Sequence, residues 1–273
     1  MKRIVFILPL IAACGGTGTI EVNVYGEDFI EQEIPAASAP GEEGLVDGFR
    51  VEYDKFLVAL ANLEIANSDD EVAATDAATR IWDVKKAGPH TVAQLEAPAE
   101  RWDRVSVEMR RASGATAGNA DPADVDMMNA GGHTVIATGR VSNETDTYTF
   151  DWRFDTETLY ADCVDADERP GVNVPTGGSV PMQLTIHGDH LFYDDLQSDD
   201  PSLRFAAMAA ADTNNDFEVT LEELAAVDLT SLPSDQYGTG GDPEVNDLSA
   251  FVTALTRTLV HFQGEGHCVQ IKR

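Results

Sequence analysis

Two stretches of this sequence carry side chains whose types and spacing suit chemistry. The first is Asp212-Thr213-Asn214-Asn215-Asp216-Phe217-Glu218-Val219-Thr220-Leu221-Glu222-Glu223, which alternates oxygen donors at Asp212, Asn214 and Asp216. A backbone carbonyl at Glu218, the Thr220 hydroxyl and a carboxylate at Glu223 complete the set. A hard cation takes six to eight oxygens at about 2.3–2.6 Å, and this spacing wraps them around one point. The second stretch is His187-Gly188-Asp189-His190, with His261 and His267 further on. Imidazoles mixed with a carboxylate suit zinc, copper or iron, and a His-x-x-His pair at a strand end can aim both rings at one ion. The same side chains could instead cap helices and satisfy buried carbonyls. His187, Asp189 and His190 around a metal would also suit a metal-dependent hydrolase. His90 and His133 stand alone.

The twelve-residue stretch resembles an EF-hand calcium loop, with Val219 at that family's apolar eighth place and Glu223 at its closing twelfth. The resemblance implies calcium held by Asp212, Asn214, Asp216, Glu218, Thr220 and Glu223. The sixth place departs from the pattern, because Phe217 stands where the family has Gly in a left-handed turn. A Phe there is strained by about 1–2 kcal/mol, so weaker binding or a reshaped turn is expected. Sensor loops come in pairs and only one is evident, which favours a structural calcium; a loop that keeps its shape without metal is the alternative. Gly188-Asp189-His190 resembles a fragment of metallophosphoesterase motifs, but the α/β sandwich those enzymes need is not the pattern here.

Around these candidates the chain is strongly acidic, with 48 Asp and Glu against 18 Lys and Arg among 273 residues and a formal charge of -30. Nucleic-acid binding is excluded, since phosphate recognition needs a basic face. A divalent cation remains a natural partner, alongside an unidentified protein. At the N-terminus, Lys2-Arg3, the apolar Ile4 to Ile11 and Ala12-Ala13 read as an export leader. Ile11-Ala12-Ala13-Cys14 resembles the lipobox of bacterial lipoproteins, which implies a signal peptide over 1–13 and lipidation at Cys14. Gly15 in place of Asp resembles lipoproteins sorted to an outer membrane, so the expected location is the cell envelope, with the membrane touched only through the lipid. In an exported chain Cys163 and Cys268 are expected to pair; a thiolate ligand at Cys268 beside His267 is the rival reading.

Period-two alternation marks strands at Thr19 to Tyr25, Phe49 to Ile65, Arg104 to Met109, Thr134 to Val141, Thr147 to Phe154 and Val180 to Ile186. Acidic or Gly/Pro-rich connections run over Glu31 to Gly44, Asn67 to Ala78, Ala112 to Met127 and Asp162 to Gly178. The fold class expected is mainly β, an antiparallel β-sandwich over 14–195. A small helical EF-hand-like module over 196–273 follows it, with helices at Pro201 to Ala211, Thr220 to Val227 and Pro243 to Phe262, the last capped by Asp242. Gly264 to Lys272 reads as an extended tail stapled to the sandwich through Cys268. Phe56 to Ile65, Ile81-Trp82-Asp83-Val84 and Ala97-Pro98-Ala99 to Val105 resemble prealbumin-type sandwiches of exported lipoproteins. More distantly they are similar to the methanobactin-associated periplasmic copper-binding family, which implies copper without placing a ligand. No nucleophile elbow or phosphate-cradling loop is present, so a non-catalytic, calcium-binding envelope protein is expected first and a copper or zinc binder second.

Overall fold

The computed structural model describes residues 15–39 and 41–273. The expected leader 1–13 and the lipidation position Cys14 lie outside the described residues. The chain is mainly β, with 42% strand and 16% helix. The strands are β1 (Thr17–Gly26), β2 (Arg50–Ala66), β3 (Val72–Asp76), β4 (Arg80–Asp83), β5 (His90–Pro98), β6 (Arg101–Trp102), β7 (Arg104–Met109), β8 (Thr116–Ala117), β9 (Val135–Ser142), β10 (Thr147–Phe154), β11 (Thr158–Val164), β12 (Val172–Asn173), β13 (Ser179–Ile186), β14 (Val260–Phe262) and β15 (His267–Lys272). The helices are α1 (Asp28–Glu31), α2 (Pro122–Gly131), α3 (Ala206–Ala209), α4 (Leu221–Leu224) and α5 (Leu248–Leu255).

Two sheets enclose one hydrophobic cluster. The smaller has the order β14-β13-β1-β5, and the larger runs β10-β9-β2-β7-β11-β15, with β3 and β4 paired to β2 and β8 paired to β4. Ile20, Val22 and Val24 of β1 and Met182, Leu184 and Ile186 of β13 are buried against Val58, Leu60, Val105, Val107 and Tyr160 of the larger sheet. β2 is buried on both faces from Phe56 to Ala61, because α2 covers its outer side with Met128 over Leu57, Ala59 and Ile136. That helix replaces the second half of the connection expected over Ala112 to Met127. Pro122 at its start and Gly132 in the left-handed conformation at its end fix its limits.

The expectation of an antiparallel sheet is corrected, for the sheets are mixed. β1 and β13 pair in parallel through Thr19↔Ser179 to Gly26↔Ile186. Parallel neighbours need a long crossover, and here almost the whole larger sheet lies between the two strands in sequence. This pairing brings the ends of β1 and β13 to the same place.

The helices of the C-terminal stretch are shorter than expected. α3 and α4 are four residues each, and α5 starts at Leu248. Leu203 is drawn into bridges with Leu45 and Tyr193, which keeps Pro201 to Phe205 extended. Asp247, not Asp242, caps α5 by accepting the Ala250 N–H at 2.8 Å, while Asp242 Oδ1 accepts the Glu244 N–H in a turn. Helix ends at Leu255, a 3₁₀ turn follows at Thr256–Thr258, and the chain returns to the sheets as β14 and β15. Cys163 and Cys268 form a disulfide between β11 and β15, the pairing that was expected of them.

A candidate metal centre at the ends of two parallel strands

The register Gly26↔Ile186 makes Glu27 and His187 the first residues beyond two neighbouring parallel strands. His187 Nδ1 lies 3.2 Å from Glu27 Oε2. Glu27 Oε1 accepts the Gly188 N–H at 2.7 Å, which anchors the carboxylate to the turn it supports. The chain then coils into a buried 3₁₀ turn, Asp189–Phe192. A Cβ on Gly188 would meet Ile30 at 2.4 Å and Tyr53 at 3.0 Å, so only glycine lets this turn seat against the core. The Tyr53 hydroxyl donates to the Gly188 carbonyl at 2.6 Å. Phe192 closes the turn against Trp152, Phe150 and Phe205.

His261 arrives from the other side on β14, opposite Thr185 of β13. The three rings converge: centroids are 5.3 Å apart for His187 and His190, 5.0 Å for His190 and His261, and 4.0 Å for His187 and His261. Two imidazoles on one tetrahedral ion, with metal–nitrogen bonds near 2.0–2.1 Å, have centroids roughly 5 Å apart. Two of the separations already fit, and the stacked pair needs to open by about 1 Å to match. One ligand atom from each ring falls within 4.8 Å of the others.

The hydrogen bonds also fix which nitrogens are free. A carboxylate only accepts, so His187 donates its Nδ1–H to Glu27. The Thr258 hydroxyl spends its proton on the Leu255 carbonyl at 2.8 Å, so it accepts from His190 Nδ1 at 2.8 Å. In the neutral rings both Nε2 atoms therefore carry lone pairs, and His187 Nε2 and His261 Nδ1 are buried without a partner. A carboxylate or hydroxyl behind each imidazole is the arrangement that orients metal-binding histidines.

Burial, then the neighbouring His261 and His187 charges, holds His190 well below the ordinary imidazole value. Burial and the charge of His187 push His261 down to about 3. Burial opposes protonation of His187 too, but the Glu27 hydrogen bond and charge outweigh it and raise that group. Burial and the charge of Glu27 lift Asp189 well above the usual carboxylate range.

The raised Asp189 has a consequence for stability. An unfolded Asp ionises above about pH 4, whereas the folded group resists ionisation, so the native state loses stability as pH rises through that range. Asparagine mimics the neutral form. Asp189→Asn is expected to raise the melting temperature at pH 8 by about 2–4 °C, the equivalent of about 1 kcal/mol in a chain of this size, with the gain fading toward pH 4. Melting curves of both proteins across that range check it, and an equal offset at every pH would contradict it.

The expected residues divide. His187, His190 and His261 come together; Asp189 groups instead with Glu27 and His187. His267 does not join, its ring being 59% exposed and 4.0 Å from Glu168. Strand alternation explains this, since Cys268 points inward to its disulfide and the preceding residue must point out. Cys268 is accordingly no metal ligand. Glu27 and Thr258 were not anticipated. Nothing local marks Glu27, which lies 161 residues from Gly188 among many other carboxylates.

In the acidic loop, carboxylate oxygens of Asp212, Asp216 and Glu223 lie within 4.8 Å of one another. Phe217 adopts φ of 62°, the left-handed conformation its position demands. Its ring leans on Tyr148 at 5.6 Å. Inward N–H groups support the loop: Asp216 donates to Asn214 Oδ1 at 2.8 Å and Phe217 to Asp212 Oδ2 at 3.1 Å. Thr220 serves as the N-cap of α4, in a reciprocal capping box with Glu223. The Glu218 side chain is exposed and stands outside the carboxylate group. The loop backbone pairs with the edge of β10: Val219 N–H donates to Thr149 O at 2.9 Å, and Thr149 N–H to Phe217 O at 2.8 Å.

Among the described residues no helix is long and apolar enough to cross a membrane. Comparison with protein-family models, with curated proteins and with solved structures gives no match, so the chemistry of the site stands on this chain's own residues.

Proposed function

We propose that this chain is an exported, lipid-anchored envelope protein that binds a transition-metal ion, zinc or copper, through His187, His190 and His261. The observation that carries the reading is the set of three converging imidazoles, two of them buried and one partly covered, in which His187 Nε2 and His261 Nδ1 are buried without a protein partner. Leaving such atoms unsatisfied costs about 1–3 kcal/mol each, and a metal ion is what three lone pairs at this separation would satisfy. Glu27 orients His187 and offsets one charge of a divalent ion. The role is metal holding rather than catalysis. Glu27→Gln keeps the size and removes the charge, and should weaken zinc binding about 10–100-fold by competition titration. An unchanged affinity would contradict the reading.

A second reading, a structural calcium in the loop, is supported by the left-handed Phe217 and by three carboxylates that no Lys or Arg pairs with among the described residues. Glu223→Ala is expected to abolish calcium-dependent heat in a calorimetric titration and any calcium-dependent rise in melting temperature. Persistence of both would exclude that site.

The anchor reading rests on the sequence through Cys14. Only Gly15 and Gly16 separate that residue from β1, while Glu27 and His187 lie at the strand's far end, about 30 Å away at 3.3 Å per residue. Palmitate labelling that a Cys14→Ala variant loses is the expected result.

A further inference from the structure

We infer that the metal centre keeps one coordination position open and takes a small monodentate anion there, hydroxide or an inorganic anion of similar size. This rests on the transition-metal reading above and adds to it the ligand that completes the centre.

Three nitrogens converge, and among the described residues no fourth His, Cys, Asp or Glu donor joins them. Among the described residues the carboxylates closest to the cluster, Glu27 and Asp189, form a separate group that shares only His187. Glu27 is occupied on both oxygens, one with His187 Nδ1 and one with the Gly188 N–H. The one nearby thiol pair is closed as a disulfide. A three-imidazole set on a tetrahedral ion leaves the fourth place to water or an exogenous ligand, unlike closed structural sites with four protein donors.

Size and charge select what enters. His187 and His190 are buried, at 3% and 5% exposure. His261 is only partly covered, as are Tyr193 and Gly264 around it. The centre is thus least covered on its His261 side, where a solute of a few atoms would approach. Three neutral imidazoles contribute no charge, and Glu27 offsets one of the two positive charges of a divalent ion. A monoanion offsets the other, which a poorly solvated centre favours.

Cobalt(II) and azide provide the test. Cobalt is loaded into the chelator-stripped, full-length protein at one equivalent and its visible spectrum is followed as azide is added. The expected result is a shift of the cobalt bands that saturates with one azide per cobalt, and that survives in Glu223→Gln, where the acidic loop is impaired. Cobalt bound at one per chain with a spectrum indifferent to azide would overturn the open position while leaving the metal reading intact. A response lost in Glu223→Gln would place the responding cobalt in the loop and overturn the inference. Failure to take up cobalt at all would overturn this inference together with the reading beneath it.

Discussion

Replacing His261 by alanine is expected to lower zinc affinity about a hundred- to a thousandfold, because structural zinc sites derive roughly 10–16 kcal/mol from four ligands and each contributes about a quarter of that. His261 is the informative choice of the three. His187 and His190 sit in a turn packed beneath Tyr53 and Phe192, where truncation would also leave a cavity and disturb the core. His261 projects from a three-residue edge strand and is only partly buried, so its loss removes a ligand with little packing cost. The apo protein should melt at nearly the wild-type temperature, or slightly above it, since a buried unpaired ring nitrogen is removed. A variant that kept zinc affinity would show that two histidines suffice or that the ion sits elsewhere.

The second large effect concerns the disulfide. Joining Cys163 to Cys268 closes a loop with a sequence separation of 105. In the chain-entropy model a loop of that length is worth about 4–5 kcal/mol. Changing both cysteines to alanine should therefore lower the melting temperature by about 10–18 °C. Reduction of the wild-type protein should reproduce the loss. A melting temperature that fell by only a degree or two would mean that the β11–β15 ladder holds the tail without the bond. Because β14 and β15 are joined by a tight turn with Gln263 and Gly264 both at positive φ, the disulfide also secures the segment carrying His261.

How far the molecule could be read from its residues varied with the range of the interaction involved. Alternation in β1, β7, β10 and β13 is local, and those strands lie where the pattern puts them. The Cys163–Cys268 pair followed from chemistry alone, since only two cysteines remain after Cys14. His187 and His190 were legible because they lie three positions apart at a strand end. Helix in the last third was overread, since of the apolar stripe at helical spacing from Val245 to Leu259 only Leu248, Val252 and Leu255 lie in α5; Val260 and Phe262 are claimed by pairing with β13. His267 was misplaced because proximity in sequence to His261 said nothing about the turn between them. Glu27 was invisible for a deeper reason. Its role depends on a parallel pairing between strands more than a hundred and fifty residues apart, and such register is set by the whole sandwich.

The central claim is that three imidazoles hold one transition-metal ion. Elemental analysis of the protein purified without chelator, beside a His187→Ala/His261→Ala variant prepared identically, tests it most directly. The account predicts close to one zinc or copper per wild-type chain and essentially none in the variant, with calcium content the same in both. Absence of a transition metal from the wild type, or equal amounts in the two proteins, would contradict it.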